Sequence, residues 1–246
     1  MKTICLIPAR LESTRLPNKM LKKVNQHPLI VQTYLSAKDT GVFDEVWVVT
    51  DNKEIGSAIE SIGGKVFYNK KNHPSGSDRI AEAAAQMDAD LIINVQGDTP
   101  LVSKENMNNL INCFKNDDKK EISLASLMTK ISGIESNPNV VKVIVDQNDF
   151  AIYFSRSVIP YKRDTTSDLP FYKHIGVYAF RKEALLDFSK SEQTPLEKAE
   201  LIECLRYLEY GKKIKMVYTD NLSIEVDTQD DLEKAIQYFK DHPYVG

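Results

Sequence analysis

No stretch of this sequence stays apolar for more than a few residues, so none is long enough to span a bilayer. The first residues carry one lysine and no long apolar segment, so no secretory signal is expected. Cysteine is scarce: Cys5, Cys113 and Cys204 are three, scattered and without CxxC spacing. That excludes a disulfide framework and a thiolate zinc site, and fits thiols kept reduced in a cytoplasm. Cys5 reads as a small core residue of the first strand. The four histidines show no HxxxH pattern, and no Ser/His/Asp arrangement is visible. Neither charge dominates, with 32 basic and 35 acidic residues and a net charge of −3. A broad nucleic-acid surface is therefore excluded, and any basic chemistry is local. GxGxxG and the Walker pattern are both missing, which weighs against a doubly wound oxidoreductase. There are no repeats, low-complexity tracts or Pro/Gly/Ser linkers.

What is present is ordinary globular material: 246 residues, 42% hydrophobic and 27% charged. That length suits a single α/β domain, with or without a small subdomain, and gives it a proper core. Residues 4–7 form an apolar run that reads as a buried strand, ended by Pro8. A turn at 25–28 leads into a helix at 29–38, closed by Gly41. Strands follow at 45–50 and 65–68, with a helix at 53–62 between them, capped by Asp51 and closed by Gly63 and Gly64. Residues 73–79 read as a loop before a helix at 80–87. A central strand covers 90–95, and Ser103 caps a helix running to about 114. This β-α-β-α-β rhythm predicts an α/β fold with a doubly wound, mainly parallel central sheet.

The pattern then changes. Residues 122–129, 140–146 and 150–154 are β-type runs, the last two joined as a hairpin. A loop spans 156–169 and another strand 173–180. Residues 129–180 thus read as a small β-rich insertion covering one side of the site, with a second subunit as its candidate partner. Thr194, Pro195 and Glu197 open a helix to residue 210, ended by Gly211. Strands at 213–219 and 223–226 precede a last helix, where Thr228 and Asp231 have capping-box spacing.

Two places carry chemistry. The loop after the first strand holds Arg10, Arg15 and Lys19, with Ser13 and Thr14 between them. Three cations and two hydroxyls at the carboxyl end of a strand make a polyphosphate cradle; the plainer reading is a solvated basic loop, and for Arg15 a structural ion pair. Asp98 follows a buried strand and a glycine, and Asp227 lies between a strand and a helix. Two carboxylates at a sheet's carboxyl edge suit Mg²⁺, which takes few protein oxygens and completes its octahedron with phosphate and water. The plainer readings are a turn aspartate for Asp98 and a helix cap for Asp227.

These residues sit in ordered motifs: Ile-Pro-Ala-Arg, Ser-Thr-Arg-Leu-Pro and Lys19, then residues 73–79, 94–100, 138–145, 151–160, 173–178 and 226–231. Across nearly the whole chain the series resembles the cytidylyltransferases that activate Kdo, the eight-carbon sugar acid of bacterial lipopolysaccharide. The resemblance implies a magnesium-dependent, cytoplasmic, homodimeric nucleotidyltransferase that joins CTP to Kdo, releasing diphosphate. It implies that Asp98 and Asp227 bind the metal and that Arg10 and Lys19 contact the triphosphate. Backbone at Leu6, Pro8 and Ala9, together with Ser77 and Arg79, would hold the nucleotide. Gln96, Arg156, His174 and Glu203 would line the sugar-acid pocket, where arginine suits a carboxylate bidentately. The plainer readings are a satisfied strand histidine for His174, a solvated helix face for Glu203 and an exposed first-turn residue for Arg79. Two departures stand out: Thr99 where the family has Glu, and Cys204 where it has Gln. Both are expected near the sugar, which leaves 8-amino-Kdo or another nonulosonic acid open as substrate. A non-catalytic nucleotide-binding module is the rival from another class, and the intact Arg10, Lys19, Asp98 and Asp227 set argues against it.

Overall fold

Every residue of strand β1 (Thr3–Pro8) is buried, as a strand covered on both faces of a parallel sheet requires. The computed structural model describes residues 1–13, 15–71, 73–131, 136–164, 166, 168–221 and 224–242. Thr14 of the expected cradle and Ser223 of an expected strand lie outside them. The chain divides into two units, Met1–Met107 with Leu222–Gly246, and Asn108–Asn221. Residues 129–180 lie within the second.

In the first unit, β1 is followed by the short antiparallel pair β2 (Lys23–Val24) and β3 (His27–Pro28). Then come α1 (Leu29–Asp39), β4 (Glu45–Thr50), α2 (Lys53–Glu60), β5 (Lys65–Tyr68), α3 (Gly76–Ala84), β6 (Leu91–Asn94) and the start of α4 (Lys104–Lys115), whose residues from Asn108 on belong to the second unit. The four long strands are all parallel, in the order β6-β1-β4-β5. The chain therefore winds from β1 through β4 to β5 on one side, and returns to place β6 on the other. The mainly parallel α/β sheet expected from the strand–helix rhythm is present.

Two helix starts differ from expectation. Asn52, not Asp51, caps α2, its side chain accepting from the Ile55 amide at 3.0 Å. Helix α3 begins at Gly76 rather than at residue 80. Ser75 caps it, accepting from the Asp78 amide at 3.1 Å while its hydroxyl donates to the Asp78 carboxylate at 2.7 Å. A glycine in the first turn does not outweigh a cap closed from both sides. Ser77 and Arg79 are accordingly helical, not loop, residues.

The second unit contains β7 (Leu124–Ile131), β8 (Lys142–Val145), β9 (Ala151–Ser155), β10 (Phe171–Arg181), α5 (Lys182–Lys190), α6 (Pro195–Glu200), α7 (Cys204–Glu209) and β11 (Ile214–Tyr218). Strand β7 pairs antiparallel with β10 and parallel with β11. Strands β8 and β9 form the expected hairpin. Its turn is closed by Asp146, whose Oδ1 accepts from the amides of Asn148 at 2.8 Å and Phe150 at 2.9 Å.

The helix expected at 194–210 is two helices. Leu201 adopts a left-handed φ of 52° between them. Across this break Arg206 donates from Nε to Glu197 Oε2 at 2.8 Å and from Nη2 to Oε1 at 2.6 Å. Both side chains are buried, and the guanidinium lies 4.0 Å from the centre of the Phe188 ring. The bidentate pair ties α6 to α7 where the backbone ladder stops.

The last helix, α8 (Gln229–Asp241), belongs to the first unit. It opens with the predicted Thr228–Asp231 capping box. Its face of Leu232, Ala235 and Phe239 packs with Leu16, Val24, Leu29 and Val226. Residues 224–226 form no strand. Instead the Val226 amide donates to the Asp98 carbonyl at 2.9 Å, which sets Asp227 beside Asp98.

Arg206→Met is expected to destabilise the chain by about 3–5 kcal/mol, because it strands a buried carboxylate. Arg206→Met with Glu197→Leu is expected to recover much of that loss, as read by urea denaturation.

Candidate active site

The winding direction changes at the carboxyl ends of β1 and β6, the usual place for a ligand in an open α/β sheet. A cavity of about 280 Å³ opens there. Pro8, Ala9 and Arg10 leave β1 into its wall, and Gln96, Gly97 and Asp98 leave β6 into the facing side. Gly97 is required at this place. A Cβ on it would stand 2.9 Å from the Pro8 carbonyl oxygen and 3.1 Å from both Ile30 and Met20. Glycine lets the two strand ends approach this closely.

Three segments distant in sequence meet through charge. The Lys19 ammonium donates to Asp98 Oδ2 at 2.6 Å and to Asp227 Oδ1 at 2.9 Å. Arg15 reaches the other Asp227 oxygen at 3.1 Å. Burial of Lys19 by itself favours the neutral amine. Attraction and hydrogen bonding from Asp98, then Asp227, outweigh it and hold the ammonium above the usual lysine range. Arg10 is exposed at the rim and makes no ion pair among the described residues.

The donor chemistry fits a hard divalent cation. Two carboxylates that already share one cation are within reach of another, and such ions take oxygen ligands and leave the rest of the shell to phosphate and water. Among the described residues no group of three or more His, Cys, Asp or Glu forms a metal cage. Asp98 and Asp227 are the carboxylates of this cavity whose chemistry suits Mg²⁺.

The other predicted residues divide. Gln96 lines the cavity, and its amide donates to Asn94 Oδ1 at 3.3 Å. Asn94, fully buried, donates in turn to Ser77 Oγ at 3.3 Å. Ser77 thus lies beneath the cavity wall rather than in it. Leu6 is likewise interior, its carbonyl accepting from the Val95 amide at 3.2 Å. Arg79 is not an exposed first-turn residue: it is buried, and Nη1 donates to Asp51 at 3.0 Å while its side chain still borders the cavity.

Sequence reasoning missed Asn94, Asp51 and the His73–Glu82 pair. A polar residue ending the apolar run Leu91-Ile92-Ile93 was a visible signal for Asn94, since buried amides are partnered. His73 lines the cavity, and its Nε2 lies 2.6 Å from Glu82 Oε2. Burial favours the protonated Glu82 carboxyl. The Lys70 amide, then His73 and Asn69, reverse this and hold it below the usual carboxylate range.

Arg156, His174 and Glu203 belong to the second unit. The Arg156 guanidinium donates to the carbonyls of Glu200 at 2.6 Å, Pro138 at 2.8 Å and Leu201 at 3.3 Å. Glu203 is half-buried at the start of α7. His174 has the surroundings of the plainer reading, a satisfied strand histidine. It is buried between Phe154 and Tyr178, and Nε2 lies 2.9 Å from Ser126 Oγ. That hydroxyl also contacts the Val177 carbonyl at 2.8 Å, in the irregular register between Ile175 and Tyr178. With the hydroxyl proton directed to the carbonyl, the imidazole donates from Nε2. Burial, and then Lys173, lower its pKa to about 3, so it carries no charge near neutrality. Thr99 and Cys204 are also buried, and Thr99 lies behind the wall of the cavity rather than on it.

Fold and site together define an α/β protein of the nucleotidyltransferase type. Residues 4–214 match the family model described as "Cytidylyltransferase". The chain belongs to that family, among the 3-deoxy-manno-octulosonate cytidylyltransferases. The enzyme of that name from Christiangramia forsetii is 50% identical over 95% of each chain. The one from Flavobacterium johnsoniae is 49% identical over 98% of this chain and 100% of its own. A solved structure of CMP:2-keto-3-deoxy-manno-octonic acid synthetase complexed with CTP superposes with a TM-score of 0.90 and 33% identity, covering 98% of this chain and 100% of that one. The 4-diphosphocytidyl-2C-methyl-D-erythritol synthase of Anaerococcus prevotii, at 16% identity and a TM-score of 0.65 over 97% and 98% of the two chains, shares the fold.

The neutral His174 predicts a pH dependence of stability. Above its ordinary pKa of 6.5 both folded and unfolded chains leave it neutral. As pH falls below that, the unfolded chain takes up a proton that the folded chain refuses until about 3, so stability is lost. In His174→Gln, unfolding free energy plotted against pH between about 6.5 and 4 is expected to be flatter by up to about 1.4 kcal/mol per pH unit. Parallel curves for the two proteins would show that His174 titrates normally.

Proposed function

We propose that this chain joins CTP to Kdo, giving CMP-Kdo and diphosphate for lipopolysaccharide synthesis, with Mg²⁺, as a cytoplasmic homodimer. The observation that carries the reading is the meeting of Asp98 and Asp227 on one cation, in a cavity that also holds Arg10 and Arg15. The relatives' names supply the substrate class.

Nucleotidyl transfer asks a protein mainly for alignment and charge neutralisation. The sugar's anomeric oxygen forms a bond to the α-phosphorus as the bond to the diphosphate oxygen breaks, and the hydroxyl proton is lost. Arg10, exposed and uncommitted among the described residues, and Lys19 take the triphosphate, with Arg15 beside them. Backbone at Pro8 and Ala9 borders the nucleotide. Arg79 is held at its edge by Asp51, and Gln96 has its amide orientation fixed by Asn94. Mg²⁺ on Asp98 and Asp227 would add Lewis-acid stabilisation of the transferring phosphoryl group. Gln96, on the cavity wall, is assigned to the sugar acid; the Arg156 guanidinium is committed to three backbone carbonyls, and His174 contributes neutral hydrogen bonding and packing. The dimer reading draws support from exposed Ile152, Tyr161, Leu169 and Leu201, all in the second unit.

The reading is tested by diphosphate release with CTP and a panel of Kdo, 8-amino-Kdo and sialic acid. Kdo is expected to give the highest kcat/KM, and release with none of them would overturn the assignment. Asp98→Asn and Asp227→Asn are each expected to lower kcat by a factor on the order of a hundred or more with the fold intact. Near-normal turnover at limiting Mg²⁺ in either would remove that residue as a ligand. Sedimentation at micromolar concentration is expected to show a dimer, and a monomer would refute the assembly.

A further inference from the structure

The carboxylates proposed to ligate the divalent cation are those that hold the Lys19 ammonium, at 2.6 Å for Asp98 and 2.9 Å for Asp227. An ammonium and a divalent cation in contact with the same two carboxylates would stand close enough to repel strongly. The pair also balances charge as it stands: two carboxylates face Lys19 and, on Asp227, Arg15. Bringing in a polyphosphate and a divalent cation therefore requires re-pairing, and the Lys19 side chain is built to move. Its backbone is fixed by the Lys22 amide donating to its carbonyl at 3.1 Å, by the Leu21 amide on the Asn18 carbonyl at 3.0 Å, and by buried Leu16 and Met20 on either side. Only the four-carbon stem needs to swing, and the anionic destination lies in the same cavity, beside Arg10 and Ser13.

We infer that Lys19 is an exchangeable counter-ion. Its ammonium holds Asp98 and Asp227 together in the free protein and passes to the triphosphate as the divalent cation takes the carboxylates. Cation and nucleotide binding are thereby coupled through one side chain, and each favours the other by the same factor. The inference rests on Asp98 and Asp227 being the metal ligands.

The test titrates Mn²⁺ alone, without nucleotide, into the full chain and reads free Mn²⁺ by electron paramagnetic resonance. Lys19→Met is expected to bind Mn²⁺ at least about fivefold more tightly than the native chain, because the ammonium no longer competes for the two carboxylates. Adding Asp227→Asn to Lys19→Met is expected to abolish the gain. Thermal unfolding gives a second readout: Lys19→Met is expected to melt lower in metal-free buffer and to be raised more by Mn²⁺ than the native chain. If Lys19→Met does not fold, Lys19→Gln, which keeps a donor between the carboxylates without the charge, carries the same expectation. Equal Mn²⁺ affinity with and without the lysine, but lost in Asp98→Asn, overturns the exchange and leaves the ligands standing. Affinity unaffected by Asp98→Asn and Asp227→Asn alike overturns the ligand assignment, and the exchange with it.

Discussion

One ammonium between two carboxylates fixes the geometry on which the cavity depends. Lys19, Asp98 and Asp227 come from the loop after β1, the turn after β6 and the entry to α8. Each arrival has its own cause. β1 and β6 are parallel neighbours because both are mostly apolar and tolerate burial on two faces. Gly97 then lets their ends close up. Asp227 is set by the Val226 amide on the Asp98 carbonyl, and held by a helix whose capping box and buried face anchor it to the unit. Without the cation, two carboxylates this near each other would repel, and the entry to α8 would lose part of its fixation. Taking Lys19 out of water costs free energy that the pairing must offset. Such a cluster is weak evidence of stabilisation for its own sake, and stronger evidence that charge is needed at this place.

Around the cluster, side chains differ in how committed they are. Gln96 and Arg79 reach the cavity, but Asn94 and Asp51 hold them from behind. Their partners remove rotamer freedom before a ligand arrives, which lowers the entropic cost of binding. Arg10 has no such restraint and stands exposed at the rim. A fixed wall with an arginine at its mouth that makes no ion pair among the described residues suits a ligand whose base must be oriented and whose phosphates must be captured.

The strands at 45–50 and 65–68 were legible because apolar runs bounded by turn residues have few alternatives. Lys19, Asp98 and Asp227 were legible because loops at strand ends carry chemistry. What escaped notice was decided at longer range. The start of α3 turned on a reciprocal Ser75–Asp78 cap that overrode a glycine. Helix α5 buries only Leu185 and Phe188, too little to give a periodic signal. The break between α6 and α7 rests on a left-handed Leu201, which propensity alone does not foresee. His174 sits in a strand beside a lysine, and nothing local says that Ser126, from another strand, satisfies it. Asn94 was legible in principle, since an amide at the end of a buried strand has to find partners.

Charged residues of like type meet opposite fates in the two units, and burial with saturation separates them. Arg206 is 1% exposed, and its guanidinium donates to both Glu197 oxygens and to the carbonyls of Phe188 and Ser191. Lys142 is fully buried and gives its ammonium to the carbonyls of Asn137, Val140 and Arg156. Backbone carbonyls cannot be exchanged without unfolding, and the Glu197 carboxylate is itself buried, so these two cations are structural. The acceptors of Lys19 are instead side-chain carboxylates, a quarter and a third exposed, that open on a cavity. Water, metal or phosphate can reach them, and a pair that solvent reaches can be traded for another. Three buried or nearly buried cations therefore look alike by burial alone. The acceptor type, and whether it faces a cavity, is what separates Lys142 and Arg206 from Lys19.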